Sequence, residues 1–496
     1  MTGFGPDETA RIASHALWQR TTPPGRRVHG ARLVIETVPP ERKSAVHTMA
    51  LALVWLTMFS GFFVAFEPAP FDALLVGLVV LLPVVGLIAI GPAQLVHLCL
   101  WLLIVAAGFV ACLVATDPTA AFPHIGVTLY LALGSVVVAA FVAKRPEAHA
   151  RLIFRATTAG AMIAAITGIL GYFDVPPGAN LTFTVFGRAA GSFKDPNVYA
   201  PFLVPPLVYL LHQSLGNRVR GLFLPLIGMG ILAVALLLSF SRGGWVNALV
   251  ALSVYGLLTL LGARTNWLRV KLISLAGVLV IAGAGLIIVA LASDSVSKLF
   301  DQRAAVSQSY DEGPEGRFGG QEKAIRHALE NPLGLGALQF GGILHPEQPH
   351  NVYISHFLNG GWIGGVLYIA LIIASLLLGF RSLLKRRWET PLLPVAYASF
   401  AGLAVEGFVV ETDHWRTFYV VLGLLWGLTF PSTGKQRLRV PVMGLPADLA
   451  MLPMQPPRRT PRITGRAPRI VQPVAATYRP KTRRREPRRK ARIVVH

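Results

Sequence analysis

Apolar residues in this chain come in long unbroken runs and do not alternate with polar ones. Twelve runs stand out: Ala45 to Phe66, Ala73 to Ile90, Leu95 to Ala115, Phe122 to Ala143, Leu152 to Tyr172, Val198 to Leu211, Leu222 to Leu238, Trp245 to Leu261, Val270 to Ala292, Val352 to Gly379, Leu392 to Val410 and Phe418 to Phe430. About 20 residues of helix cross roughly 30 Å of hydrocarbon at 1.5 Å per residue. Lipid offers the backbone no hydrogen-bond partners, so such runs must be helices. The pattern predicts an all-α polytopic transmembrane bundle of about 12 spans.

Composition agrees: 53% of residues are hydrophobic and 14% charged, with a mean hydropathy of +0.55. That excludes an ordinary soluble domain. The charges then orient the spans, because cytoplasmic loops collect Lys and Arg. Lys144, Arg145 and Arg151, then Arg218 and Arg220, then Arg264, Arg269 and Lys271, then Arg381, Lys385, Arg386 and Arg387 all fall on the N-terminal side. The opposite loops carry Glu67, Asp117, Asp174 and a long, slightly acidic segment, 293–350, with a helix-like stretch from about Gly320 to Glu330. Both termini are therefore expected in the cytoplasm. The domains are a polar N-terminal segment, 1–44, a membrane domain, 45–430, with its long outer loop, and a tail, 431–496.

The net charge of +22 suggests nucleic acid until it is located. From Pro431 onward there are 17 Lys and Arg against Asp448 and Glu486, so +15 of the +22 sits in the tail. Its Pro- and Arg-rich sequence has no apolar period and reads as disordered. Anionic lipid on the cytoplasmic leaflet is the expected partner, with a plain solubilising role as the alternative. Cys99 and Cys112 share one predicted span about 20 Å apart. They cannot form a disulfide with each other and say nothing of redox compartment.

Three polar clusters fall on the outer side. The first runs from Gly187 and Arg188 through Gly191-Ser192-Phe193 and Lys194 to Asp195-Pro196-Asn197. The second is the turn Ser239-Phe240-Ser241-Arg242-Gly243-Gly244. The third runs from Gly316-Arg317 through Asn331-Pro332-Leu333-Gly334-Leu335-Gly336 to His350-Asn351-Val352-Tyr353, and closes on Gly360-Gly361-Trp362-Ile363-Gly364-Gly365.

In the order, spacing and shared side of these motifs, the sequence resembles the O-antigen ligase and polymerase superfamily of bacterial inner-membrane proteins, from roughly Gly187 to Gly365. The resemblance implies a glycosyltransferase without cofactor. It would move a glycan from undecaprenyl pyrophosphate to an acceptor hydroxyl on the periplasmic face. The acceptor would be a lipid A core for a ligase, or a growing lipid-linked glycan for a polymerase. The sequence departs from the family at Asn359, where many members carry an acidic residue.

The residue types suit that chemistry. A pyrophosphate leaving group needs cations, and guanidinium forks give charged bidentate contacts, so Arg188, Arg242 and Arg317 are the candidates, with Lys194 as a fourth. The attacking hydroxyl must lose a proton, and imidazole is the side chain suited to accept it near neutral pH; His350 fits. Asp195, Asn197, Asn351 and Tyr353 are expected to support these groups by shaping turns and helix ends. An arginine at a span's head can also serve only to reach headgroups. No metal is expected, since His345, His350 and His356 are spaced five and six apart and share no helix face. A secondary transporter is the alternative from another class, but most runs lack mid-span charges, Glu406 being the clearest exception.

Overall fold

A computed structural model describes residues 34–36, 45–216, 221–263, 265–291, 313–386, 390–432 and 492–494. The chain divides into two compact units, Ser44–Ser432 and the terminal segments Met1–Lys43 with Thr433–His496. In the second, strands β1 (Val34–Glu36) and β4 (Arg492–Val494) pair antiparallel. Ile493 lies opposite Ile35 and Val494 opposite Val34. The rest of the tail lies outside the described residues. So do most of 1–44, the loop segment 292–312, and Arg218, Arg220, Arg264 and Arg387.

Each of the twelve apolar runs is a helix. They are α1 (Ala45–Ser60), α2 (Pro70–Val84), α3 (Pro92–Cys112), α4 (Pro118–Lys144), α5 (Pro146–Tyr172), α7 (Pro196–Gly216), α8 (Phe223–Leu238), α9 (Arg242–Gly262), α10 (Asn266–Leu291), α12 (Val352–Arg386), α13 (Leu393–Glu406) and α14 (Arg416–Thr429). Among the described residues there are also a single turn, α6 (Asn180–Phe183), and helix α11 (Arg317–Glu330). Proline opens α2, α3, α4 and α5, where its fixed φ suits the first turn and its missing N–H costs nothing. α3, α4, α5, α9 and α12 are long and apolar enough to cross a membrane; α1, α2, α8, α13 and α14 are apolar but shorter. The described residues are mostly helical, with membrane-length apolar helices among them.

The first run ends early. Helix α1 stops at Ser60, and the aromatic stretch after it turns back so that Val64 donates to the Ser192 carbonyl and accepts from Lys194 N–H. The loop after α1 is thereby tied to the first polar cluster.

Small residues let the helices approach. On α14, a Cβ at Gly423 would lie 2.6 Å from the Ser135 carbonyl oxygen, and one at Gly427 would lie 2.6 Å from that of Ala139. This glycine stripe seats α14 on α4, as is usual where lipid supplies no hydrophobic drive between helices. A buried bidentate pair joins α14 to α2, with Arg416 Nε and Nη2 donating to the two Asp72 carboxylate oxygens at 2.8 and 2.6 Å.

Helix α12 is not one rod. Gly361 sits inside it at φ 64° and ψ −164°, which breaks the helix where the sequence reads a continuous span. The segment Asn331 to Gly336 fills the break: Leu335 and Gly336 N–H donate to the Leu358 carbonyl, and Trp362 N–H donates to that of Pro332. A Cβ on Gly361 would be 2.3 Å from the Pro332 oxygen, and one on Gly334 would be 2.6 Å from the Leu358 oxygen. The break satisfies itself with protein groups, the condition under which irregular backbone is tolerated at membrane depth.

Candidate functional site

The first polar cluster folds around Arg188. Strands β2 (Thr184–Val185) and β3 (Arg188–Ala189) form a minimal hairpin that carries its side chain. The guanidinium is buried, with Nε donating to the Ser239 carbonyl at 2.8 Å and Nη2 to Asn197 Oδ1 at 2.8 Å. Asn197 Oδ1 also accepts from Ser241 Oγ at 3.1 Å, so one amide oxygen locks the first cluster to the second. Asp195 is a turn former: its Oδ1 accepts from Asn197 N–H at 2.7 Å.

The second cluster is a helix entry. Phe240 takes φ 47°, a left-handed conformation costly for a side chain with a Cβ. Ser241 caps α9 by accepting from Gly244 N–H, and Arg242 becomes the first helical residue. Behind it, the fully buried Glu406 of α13 accepts from Asn247 Nδ2 at 2.7 Å, with its other oxygen 3.0 Å from where a Gly243 Cβ would be. The charge that kept a transporter reading open thus faces the back of the arginine turn.

The third cluster brings Arg317 and His350 to the same place. Arg317 opens α11, and His350 precedes α12 with φ 52°, a second strained non-glycine backbone at the site. Strain of this kind persists only where surrounding structure holds it. Asn351 is a helix cap, its Oδ1 accepting from Tyr353 and Ile354 N–H. The Tyr353 hydroxyl donates to the Ala404 carbonyl at 2.6 Å, anchoring the head of α12 to α13.

Arg188, Arg242, Arg317, His350 and Asn197 line one cavity of about 410 Å³, whose walls also include Phe240, Phe318, Gln321, Glu347 and the Phe408 to Val410 segment. Among the described residues lining it, three guanidiniums face one carboxylate, that of Glu347, so the cavity suits a multiply charged anion. Lys194 is not among them. It pairs with Glu67 at 2.7 Å on the exposed side of the same loop. Burial works against the Glu67 charge, but Lys194 and Arg416 hold its carboxyl below the ordinary value. Asp195, Asn351 and Tyr353 also lie outside the cavity lining and fix the backbone around it.

Sequence reasoning missed Glu347. Its Oε2 accepts from His350 Nε2 at 2.9 Å, making an imidazole–carboxylate pair at the mouth of the cavity. The spacing of three was visible, but Glu347 lies in a loop segment with no periodicity to orient it. His345 and His356 do not join His350: His345 stacks on Phe340 and His356 on Tyr368. Asn359 lines a separate small cavity together with His356 and Asp413.

No curated protein matches the chain. Residues 227–369 match the family model described as O-antigen ligase. That stretch contains the Arg242 turn, α11 with Arg317, the loop that fills the α12 break, and His350, which is most of the cavity's charged lining. Over this domain the chain is similar to the O-antigen ligase family, which supports the resemblance carried by the sequence motifs.

Proposed function

We propose that the chain transfers a glycan from an undecaprenyl-pyrophosphate-linked donor to an acceptor hydroxyl, in the manner of an O-antigen ligase. The observation that carries this reading is the convergence of Arg188, Arg242, Arg317 and His350, from four segments of sequence, on one cavity. A diphosphate is the substrate group that needs such a constellation.

The arginines bind the pyrophosphate and neutralise the charge that grows on it as the bond from the anomeric carbon to oxygen breaks. The acceptor hydroxyl oxygen forms the new bond to that carbon, and its proton passes to His350. Because Nε2–H donates to Glu347, Nδ1 is the ring nitrogen left to take the proton. Glu347 orients the ring, and no metal takes part in this step.

In this reading the twelve helices cross the inner membrane with both termini cytoplasmic, and the cavity opens to the periplasm. Lys144 closes the far end of α4, roughly 40 Å from the end that Asp117 caps. Asp117 in turn hydrogen-bonds Gln339 of the outer loop, on the cavity's side of the bundle. Lipid A core is the acceptor of the ligase reading, and the basic tail meets anionic lipid on the opposite face.

The test is transfer of glycan from purified lipid-linked donor to purified lipid A core by the protein in liposomes. Transfer to the core is expected. Extension of a second lipid-linked glycan in its place would make the protein a polymerase, and cation-driven uptake with no donor turnover would sink the reading.

A further inference from the structure

Further along the loop that carries Phe408 to Val410, three side chains of types that can ligate a metal meet. His124 comes from the first turns of α4; Asp413 and His414 come from the loop between α13 and α14. His124 Nε2 lies 3.1 Å from Asp413 Oδ2, and the His124 and His414 rings are 4.0 Å apart. One ligand atom from each of the three falls within 4.8 Å of the others. None of these residues lines the arginine cavity.

We propose that His124, Asp413 and His414 bind one divalent transition-metal ion, with zinc the best chemical fit. Bonds of about 2.0 to 2.1 Å to a tetrahedral ion place neighbouring ligand atoms about 3.3 Å apart, close to the His124 to Asp413 separation. Two imidazoles and a carboxylate select zinc and its first-row neighbours over magnesium or calcium, which prefer oxygen.

The surroundings fit a built site. The guanidinium of Arg416, two residues after His414, is committed to Asp72 and Glu67. His124 and Asp413 side chains are only 14% and 12% exposed, so their charges are largely withdrawn from water. Outer partners hold the ligands in place: Thr128 Oγ1 lies 3.2 Å from His414 Nε2, and the Tyr419 hydroxyl donates to the Asp413 backbone carbonyl at 2.6 Å. A further observation points to a ligand. His356 is 7% exposed, its buried Nε2 has no hydrogen-bond partner, and it lines the same small cavity as Asp413 and Thr128. An orphaned buried imidazole nitrogen facing a half-formed ligand set calls for an ion or its bound water.

The ion would clamp the α13–α14 loop to the head of α4. Its role is structural, since the proposed transfer chemistry runs in the arginine cavity without it. The proposal therefore stands or falls apart from the glycosyltransferase reading.

The test uses the full-length protein carrying a tag without histidine, stripped with EDTA in detergent and dialysed. Zinc, cobalt(II) or magnesium is added, and bound metal and thermal unfolding are measured. One zinc per chain, a raised unfolding temperature with zinc and not with magnesium, and visible cobalt bands of tetrahedral intensity are expected. Asp413→Asn and His124→Gln should lose all three, and His345→Ala should keep them. Should a variant fail to fold, the cobalt spectrum of the wild-type protein decides. Wild-type protein that takes up no zinc, cobalt bands without nitrogen-ligand character, or variants that keep the same stoichiometry and thermal shift would overturn the site.

Discussion

If His350 takes the proton, removing its imidazole should slow transfer by about two to four orders of magnitude, which is about 2.7 to 5.4 kcal/mol of transition-state stabilisation. The backbone supplies a control against misfolding. His350 sits at φ 52°, where a Cβ costs about 1 to 2 kcal/mol and glycine costs nothing. His350→Gly should therefore fold at least as well as His350→Ala and be equally slow, and free imidazole should restore part of its rate. Glu347 gives the internal comparison. The pair is 38% and 64% exposed, so water screens it, and a contact of that kind is worth about 0.2 to 1 kcal/mol. Glu347→Gln should then cost no more than about fivefold. The assay is single-turnover transfer from purified lipid-linked donor in liposomes at matched protein and saturating acceptor. Near wild-type turnover in His350→Gly would remove the base assignment. A Glu347→Gln loss as large as that of His350→Gly would move the proton to the carboxylate.

Four further outcomes are expected. Arg242→Lys and Arg317→Lys keep the charge but lose the fork, and each should slow transfer by about ten- to a hundredfold, whereas Lys194→Ala, outside the cavity, should leave the rate intact in the same assay. Gly427→Val drives a side chain into α4 where a Cβ alone would meet the Ala139 oxygen at 2.6 Å, and thermal unfolding in detergent should show a loss of about 1 to 3 kcal/mol. Truncation at Pro431 should leave a correctly inserted protein that still transfers glycan; a stable but inactive truncation would give the tail a part in the chemistry. Transfer measured well below the unfolding temperature should survive EDTA, and a loss that a divalent ion restores even in Asp413→Asn would overturn the metal-free step.

The sequence by itself determined the helices, because an apolar run's preference for helix is a local property. Length, hydropathy and the exclusion of unpaired backbone from lipid are set within about 20 residues, and each of the twelve runs is a helix. It also singled out Arg188, Arg242, Arg317 and His350, since arginines and a histidine beside apolar runs are chemically conspicuous, and the structure brings these four to one cavity. Only the tertiary structure decided which of them meet. Arg188 and Lys194 stand six positions apart in one loop, yet Asn197 and the Ser239 carbonyl draw one into the cavity while Glu67 holds the other outside it. The break at Gly361 was invisible because an apolar run reads the same whether or not a glycine inside it turns; what permits the turn is the Asn331 to Gly336 segment packed against it. His124 and Asp413 are 289 positions apart, and linear spacing can reveal ligands only when one helix or loop carries them. Local pattern fixes what each segment is. Contacts between segments far apart in the chain depend on how the helices pack, and there the cavity and the metal-ligand cluster are made.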